Sequence, residues 1–273
     1  MNYFEIEIGE NNVEKINWIP AERQNQILEY IDFNKSAQIS ELAMYFHVSE
    51  ATVRRDLDEL AHGGKIERTH GGAISIARES TSFERLYSEK VMLMPAEKQR
   101  IALSAAALVK AGDTLLLDSG TTTLFLAQKL EQIENLTVIT YDLHIADTIN
   151  LHSSSTMIVT GGVRRGNDFH SLQGHMVDDF ISKVNVNIAF MGADAVSVKR
   201  GYANANLQEV NAKRKALEIS STKVLLADHT KFGKAALVNI CGIEAFDYII
   251  SDKGLDESTA KEIQDMGVEL ILA

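Results

Sequence analysis

Residues 39–72 read ISELAMYFHVSEATVRRDLDELAHGGKIERTHGG, a pattern typical of two short helices, a tight turn and a following hairpin. Ser40 and Ser49 are suitable N-caps, because a serine hydroxyl can accept a hydrogen bond from an unpaired N–H of the first helical turn. Their positions predict two helices that start nine residues apart. His47 falls in the turn between them, where the backbone is often left-handed and histidine is tolerated better than most residues.

Apolar residues beside each cap predict how the chain enters the two helices. Ile39 is expected to pack on Met44, and Val48 on Val53, as hydrophobic staples. Two staples and a short connection would hold the helix pair in one geometry.

The second helix is predicted to be amphipathic. Val53, Leu57 and Leu60 recur at helical spacing and should face the core. The outer face is then left to Ala51, Thr52, Arg55 and Asp58, with Arg54 at its edge.

A hairpin with basic side chains is predicted behind this helix. Gly63-Gly64 should end the helix, and residues 65–73 should form a wing around a Gly71-Gly72 turn. A winged helix-turn-helix lays its second helix in the major groove of duplex DNA. The alternative is an ordinary surface helix with solvated arginines. We favour a DNA-binding surface, formed by Ser49, Ala51, Thr52, Arg54, Arg55, Lys65, Arg68 and His70.

The length of the chain, 273 residues, predicts a second and larger domain. We expect an acidic leader at 1–18, a winged helix-turn-helix domain at 19–75, a linker at 76–95 and an effector domain at 96–273. Pro95 should begin the first helix of that domain. No apolar run of membrane-spanning length and no signal peptide are evident, so a cytoplasmic protein without a membrane partner is expected.

Charge bears on how such a protein would hold DNA. The formal net charge is −11, and residues 19–75 carry six Lys or Arg against nine Asp or Glu, a local net charge of −3. DNA affinity depends on cations that neutralise phosphates. We therefore expect moderate, salt-sensitive binding per protomer and a homo-oligomer, a dimer or tetramer, on the operator. The single cysteine, Cys241, forms no internal disulfide, and neither a metal site nor a cofactor is expected.

Seven apolar runs punctuate the second domain and predict strands. They lie at 114–118, 136–140, 156–160, 186–191, 223–227, 247–251 and 268–272, separated by helix-like segments. Nearly continuous apolar strands are typical of a mostly parallel sheet covered on both faces. The predicted fold class is therefore α/β.

Small and polar residues follow most of these strands. Ligands of open parallel sheets bind beyond the carboxyl ends of the strands, so these residues should line one crevice. The turn at 119–123 offers N–H groups and hydroxyls to an anion such as phosphate; the alternative is a plain βα turn with a threonine cap. The candidate effector-binding residues are Asp118, Ser119, Gly120, Thr121, Thr122, Thr123, Thr140, Gly161, Gly162, Asp194, Glu209, Lys213 and Lys231.

The ordered motifs resemble the DeoR family of bacterial transcriptional repressors. The resemblance rests on Glu22-Arg23, the helix-turn-helix and RTHGGA, and then on LDSGTTT (117–123), TGGVRR (160–165), AFMGADAV (189–196), the Glu209 and Lys213 pair, and LADHTKFGK (226–234). It implies a Rossmann-like sensor of phosphorylated sugars whose fold resembles ribose-5-phosphate isomerase. Tyr141 and Asn204–Asn206 depart from the usual pattern, which bears on the identity of the sugar rather than on the phosphate.

We therefore predict a transcriptional regulator, a repressor of a carbohydrate-utilisation operon controlled by a sugar phosphate. The alternative is an isomerase-like enzyme, in which Asp118, Asp194, Glu209 and Lys213 would perform acid/base chemistry. The attached DNA-binding domain favours the regulator. The sequence names neither the sugar nor the operator, and does not say whether the effector induces or co-represses.

Overall fold

The structure is a computed structural model that describes residues 19–34, 36–75, 81–82, 84–166 and 168–273. The predicted leader at 1–18 lies outside these residues. The chain divides into two compact units after residue 79, and each has its own hydrophobic core.

The described part of the first unit contains three helices and a small antiparallel sheet. In chain order its elements are α1 (Pro20–Asn34), β1 (Ser36–Gln38), α2 (Ile39–Tyr45), α3 (Glu50–His62), β2 (Ile66–Arg68) and β3 (Gly72–Ser75). The sheet order is β1-β3-β2, so the predicted wing is the β2–β3 hairpin and β1 adds a third strand that the sequence reading did not predict.

The start of α2 differs from the prediction. The N-cap is Gln38, not Ser40, because the Glu41 carboxylate accepts a hydrogen bond from the Gln38 N–H at 3.2 Å and the helix begins at Ile39. The predicted contact between Ile39 and Met44 is also wrong, since Ile39 is buried while the Met44 side chain is 74% exposed.

The start of α3 agrees with the prediction. The Ser49 hydroxyl accepts a hydrogen bond from the Thr52 N–H at 3.2 Å, and His47 in the preceding turn has a left-handed φ of 53°. Val53, Leu57 and Leu60 are buried in the core of the first unit. The amphipathic pattern therefore sets the rotation of α3 about its axis.

Glycine is required at the base of the wing by close packing rather than by a special φ angle. A Cβ atom at Gly72 would lie 2.0 Å from the carbonyl oxygen of Ala37. Gly72 and Gln38 are paired across β1 and β3, so only a residue without a side chain lets these two strands approach.

A charged pair is buried against α3. The Arg23 guanidinium from α1 donates to both carboxylate oxygens of Asp56, at 2.6 and 3.0 Å, and Asp56 is 1% exposed. Hydrogen bonding to Asp56 raises the pKa of Arg23 despite its partial burial. Bidentate geometry is the form in which such a pair holds two elements in register.

The second unit is an α/β domain, as predicted. Its helices are α4 (Tyr87–Met92), α5 (Pro95–Ala106), α6 (Thr121–Ala127), α7 (Leu143–Thr148), α8 (His175–Ile181), α9 (Leu207–Glu218) and α10 (Glu257–Asp265). Its strands are β4 (Thr114–Leu117), β5 (Thr137–Thr140), β6 (Thr156–Val159), β7 (Val163–Arg164), β8 (Leu172–Gln173), β9 (Val186–Gly192), β10 (Ala195–Ser197), β11 (Gly201–Asn204), β12 (Ser220–Leu226), β13 (Val238–Cys241), β14 (Tyr248–Ser251) and β15 (Glu269–Leu272).

All seven strands predicted from apolar runs form one sheet. Its order is β15-β14-β12-β9-β4-β5-β6, and every adjacent pair is parallel. Apolar clusters cover both faces, which explains the unbroken hydrophobic runs. The antiparallel sheet β10-β11-β13 and the β7–β8 pair were not predicted, because their strands are short and irregular in polarity.

Part of the predicted linker belongs to the second unit. Residues 84–86 and α4 pack within it, and Pro95 occupies the first turn of α5 as predicted. The domain predicted from the sequence, residues 96–273, is thus shorter than the compact unit, residues 80–273.

Removal of the Asp56 carboxylate should destabilise the first unit. Asp56→Ala should lower the free energy of unfolding by about 2–3 kcal/mol, because the Arg23 guanidinium loses its buried partner. Hydrogen exchange of the α3 amides under increasing urea measures the loss. The matched control is Glu50→Ala, which breaks the exposed pair with Arg54 on the same helix and should cost less than about 1 kcal/mol. Equal losses in both variants would contradict this account.

Candidate functional site

The outer face of α3 is exposed, as a groove-binding face must be. Ala51, Arg54 and Arg55 are exposed and Thr52 is half-buried, while the Ser49 hydroxyl is engaged as the helix cap. The predicted DNA-binding residues on this helix thus lie on one side of it.

The basic side chains of the predicted DNA-binding surface differ in their contacts with other residues. Arg54 pairs with Glu50 at 2.8 Å, whereas no partner of Arg55 is present among residues 19–34 and 36–75. Arg68 donates to the Asp58 carboxylate at 2.9 Å and to the Gly72 carbonyl at 2.7 Å, which ties the wing to α3. Lys65 and His70 are exposed on the loop and wing. Arg55 is therefore the guanidinium on α3 best placed to meet a new partner.

A cleft opens at the carboxyl ends of the parallel strands in the second unit. It contains about 630 Å³ of empty space, its open mouth included. Eight predicted residues line it: Ser119, Gly120, Thr121, Thr122, Asp194, Glu209, Lys213 and Lys231. Further lining residues that the sequence reading missed include Glu84, Tyr87, Lys90, Lys98, His170, Ser171 and Asn204.

A buried ion pair forms the floor of the cleft. The Lys213 ammonium on α9 contacts the Asp118 carboxylate at the end of β4, and both side chains are almost wholly buried. Asp118 also accepts hydrogen bonds from the Tyr141 hydroxyl and, at 2.9 Å, from the Gly192 N–H. Burial alone would lower the pKa of Lys213, but Asp118 raises it well above its usual value. Burial also raises the pKa of Asp118, although Lys213 opposes this shift, so each charge of the pair depends on the other.

The Glu209 carboxylate is fixed by neighbours on three segments. It accepts from the Ser171 hydroxyl at 2.6 Å and from the Asn204 amide at 3.2 Å, and it lies 3.7 Å from the Arg165 guanidinium. Its position at the cleft wall suits it to accept a hydrogen bond from a ligand hydroxyl.

A second charged group links α4 to the cleft. The Lys90 ammonium lies 2.8 Å from Glu84 and 3.1 Å from Asp194, and Glu84 also contacts Arg165. Burial would raise the pKa of Asp194, but Lys90 and the Ala205 N–H outweigh it and lower that pKa. Asp194 is thus an ionised acceptor in the cleft.

Two lysines in the cleft have no carboxylate partner within ion-pair distance among the described residues. Lys98 is 2% exposed and donates only to the Lys90 carbonyl oxygen, and Lys231 makes no hydrogen bond to another described residue through its ammonium. Burial and the Lys231 charge lower the pKa of Lys98 to about 8, although Asp228 opposes them. Burial also lowers the pKa of Lys231. Asp228 and Asp194 act on these ammonium groups without forming a direct ion pair, so both groups are open to an anionic ligand.

Lys98 could have been found from the sequence. It precedes the buried residues Ile101 and Ala102 by three and four positions, so helical periodicity places it on the inner face of α5. A lysine on a buried helical face requires either a partner or a function.

The turn that follows β4 lies beside these lysines in the same cleft. Ser119 donates to Asp142 at 2.5 Å, and the Thr123 hydroxyl donates to the Gly120 carbonyl at 2.8 Å. A Cβ atom at Gly120 would meet only the Thr123 hydroxyl, at an ordinary 3.5 Å, so no protein atom excludes a side chain there. The open space in front of Gly120 is therefore available to a ligand.

Four predicted effector residues have structural roles outside the cleft lining. Thr140 is buried and donates to the Leu117 carbonyl at 2.9 Å, and Thr123 is buried behind the turn. Gly161 and Gly162 have φ angles of 74° and 129°, and a Cβ atom at Gly162 would lie 2.7 Å from Val177. Their motif therefore reflects backbone conformation and packing.

Neither a membrane span nor a metal cluster is found in the part of the chain that the structure describes. None of these helices is long and apolar enough to cross a bilayer. No three His, Cys, Asp or Glu side chains of this part are grouped as metal ligands.

Comparisons with known proteins agree with this arrangement. The DeoR-like helix-turn-helix domain model matches residues 23–79, and the DeoR C terminal sensor domain model matches residues 94–253. The HTH-type transcriptional regulator GolR of Listeria innocua serovar 6a is 32% identical over 93% of this chain and 99% of its own length. The glycerol-3-phosphate regulon repressor of Escherichia coli strain K12 is 32% identical over 92% and 98%.

Among solved structures, ribose 5-phosphate isomerase from Plasmodium falciparum is similar at a TM-score of 0.36 and 12% identity, over 51% of this chain and 53% of that one. The relatives at 32% identity that span nearly the whole chain are regulators, which confirms the prediction of a regulator rather than an enzyme. The chain belongs to the DeoR family and is a helix-turn-helix transcriptional regulator with a C-terminal sensor domain.

Proposed function

We propose that this regulator represses a carbohydrate-utilisation operon, that α3 and the wing bind its operator, and that a phosphorylated sugar in the cleft controls this binding. The unpartnered Lys98 and Lys231 beside the turn at 119–122 carry the effector assignment. One relative is named as the repressor of a glycerol-3-phosphate regulon, which supports a phosphorylated carbohydrate.

The cleft offers both kinds of group that a sugar phosphate needs. Backbone N–H groups and hydroxyls of the turn, with the ammonium groups of Lys98 and Lys231, suit a phosphate dianion. Asp194 and Glu209 are acceptors for sugar hydroxyls. Lys213 and Asp118 form an ion pair at the floor of the cleft, so together they contribute no net charge to the binding of an anion.

The local charge of the DNA-binding unit supports an oligomer on the operator. Residues 19–75 carry a net charge of −3, so one copy gains little from non-specific attraction to phosphates. When one protomer of an oligomer is bound to a half-site, the next protomer is held at a high effective concentration near the adjacent half-site, so the whole oligomer binds more tightly than one protomer.

Arg55→Ala should weaken operator binding by about 1–3 kcal/mol and relax specificity, because an unpaired guanidinium on α3 suits a base edge. Arg54→Ala, which removes a cation held by Glu50, should weaken all sequences alike and reduce the salt slope by about one. Fluorescence anisotropy on operator and scrambled duplexes at several salt concentrations separates the two. Arg100→Ala, an exposed arginine of the second unit, is the control. Unchanged affinity in both α3 variants would place the DNA contact elsewhere.

Thr122→Asp should abolish binding of sugar phosphates, because it places a carboxylate where the phosphate would lie. Thr122→Ser keeps the hydroxyl and should retain the affinity. Calorimetry with ligands selected in a thermal-shift screen of sugar phosphates measures both. Undiminished affinity in the aspartate variant would exclude the turn at 119–122 as the phosphate site.

Effector affinity should fall as pH rises through about 8. The phosphate monoester is a dianion throughout this range, since its second pKa is near 6, so the change reports the protein. Lys98, with a pKa of about 8, must be protonated to bind the dianion, and the free protein loses this proton above pH 8. Lys98→Met should bind roughly tenfold or more weakly at pH 7 and show a flatter profile.

The matched control for this profile is Lys129→Met, an exposed lysine outside the cleft. Calorimetric titrations between pH 7 and 9.5 supply the comparison. A pH profile in Lys98→Met as steep as that of the unmodified protein would contradict the assignment.

A further inference from the structure

The segment that leads into the sensor unit is attached to the cleft through charged groups. We call residues 84–92 the strap; it comprises Glu84, the following two residues and α4. Eight residues of chain separate it from Ser75, the last residue of the wing. In the described chain, the helix of the strap is therefore the first helix after the DNA-binding unit.

Two lysines that line the cleft hold the strap. The Lys90 ammonium joins Glu84 within the strap to Asp194 on the cleft wall, at 2.8 and 3.1 Å. The Lys98 ammonium, from α5, donates to the backbone carbonyl oxygen of Lys90. These two ammonium groups also face the cleft, and the contact of Glu84 with the Arg165 guanidinium is a further ionic attachment of the strap.

Aromatic contacts complete the attachment without using these charges. The Tyr87 ring packs edge-on against His170 and His144, with centroid distances of 4.5 and 5.4 Å. The Tyr87 hydroxyl is buried without a hydrogen-bond partner among the described residues. These ring contacts do not involve the charged groups of the strap.

Repulsion among the cations opposes the ionic attachment. The groups that face Lys98 are Lys231, Lys90 and Asp228, and those that face Lys231 are Asp228, Lys90, Asp194 and Lys234. Asp228 is the anion shared by both sets, and it is already engaged by the Thr230 N–H and hydroxyl. Lys98 and Lys231 thus repel each other and, among the described residues, have only this shared carboxylate near both, whereas Lys90 lies between the Glu84 and Asp194 carboxylates.

We propose that the strap is a latch that an anion in the cleft tightens, so that occupancy of the cleft is transmitted along the chain toward the DNA-binding unit. An anion between Lys98 and Lys231 offsets the repulsion between these two ammonium groups, which weakens the hydrogen bond from Lys98 to the Lys90 carbonyl oxygen of the strap. A ligand shifts such an equilibrium only by its difference in affinity for the two states, and this anion favours the tightened one. The identity of the anion as a phosphate rests on the proposed function.

A variant without ligand tests the latch by itself. Lys231→Met removes one repelling cation but no hydrogen bond to the strap, so it should mimic the anion and slow hydrogen exchange of the amides of residues 88–93 several-fold in the full chain at pH 7. Lys129→Met, an exposed lysine outside the cleft, should leave this exchange unchanged. Unchanged or faster exchange in Lys231→Met would overturn the latch, because a merely structural lysine loosens its surroundings when removed.

Inorganic phosphate tests whether an anion in the cleft tightens the strap. Added to the unmodified chain, it should raise the melting temperature and slow exchange of the same amides, and Lys90→Met should lose this slowing while phosphate still stabilises it. Stabilisation by phosphate with no slowing in the unmodified chain would overturn the latch. If Lys231→Met slows exchange but neither phosphate nor any sugar phosphate stabilises the protein, the ionic hold on the strap is supported, whereas its tightening by a phosphate and the proposed effector class both fail.

Discussion

The ion pair between Lys213 and Asp118 is the interaction on which the sensor unit depends. It joins α9 to the end of β4, 95 residues apart in the chain, and the Tyr141 hydroxyl and the Gly192 N–H complete the coordination of the carboxylate. Burial of two charges is costly unless further hydrogen bonds satisfy them, and here they do. Four segments are thereby fixed at the floor of one cleft.

The other lysines of the cleft differ from Lys213 in how far their charges are paired. Because Lys213 is neutralised by Asp118, it adds no net attraction for an anion, whereas Lys98 and Lys231 have no such partner within ion-pair distance in the described chain. Lys90 is intermediate, since it is shared between the strap and the cleft wall. The same cleft therefore combines a paired polar floor, two lysines without a direct ion pair and an ionic contact to the strap.

The DNA-binding unit uses its charges differently. Its buried pair, Arg23 with Asp56, holds α1 against α3, and the exposed cations among its described residues lie on α3 and in the loop and wing behind it. A unit with net negative charge gains contact with DNA only where those cations are concentrated. Selectivity for a particular surface of DNA is thus favoured over general attraction.

The sequence by itself determined the periodic features: the rotation of α3, the left-handed turn at His47 and the seven parallel strands, because apolar spacing and backbone preferences are local properties. The sequence did not predict that Gln38, with Glu41 three residues later, caps α2 in place of Ser40. It also did not predict the small antiparallel sheets. Only the tertiary structure decided that Lys213 is paired with Asp118, that Lys98 and Lys231 have no carboxylate within ion-pair distance among the described residues, and that Thr140, Gly161 and Gly162 are not among the residues that line the cleft. The pairing of Lys213 with Asp118 joins residues 95 positions apart in the chain, and no local pattern encodes such a contact.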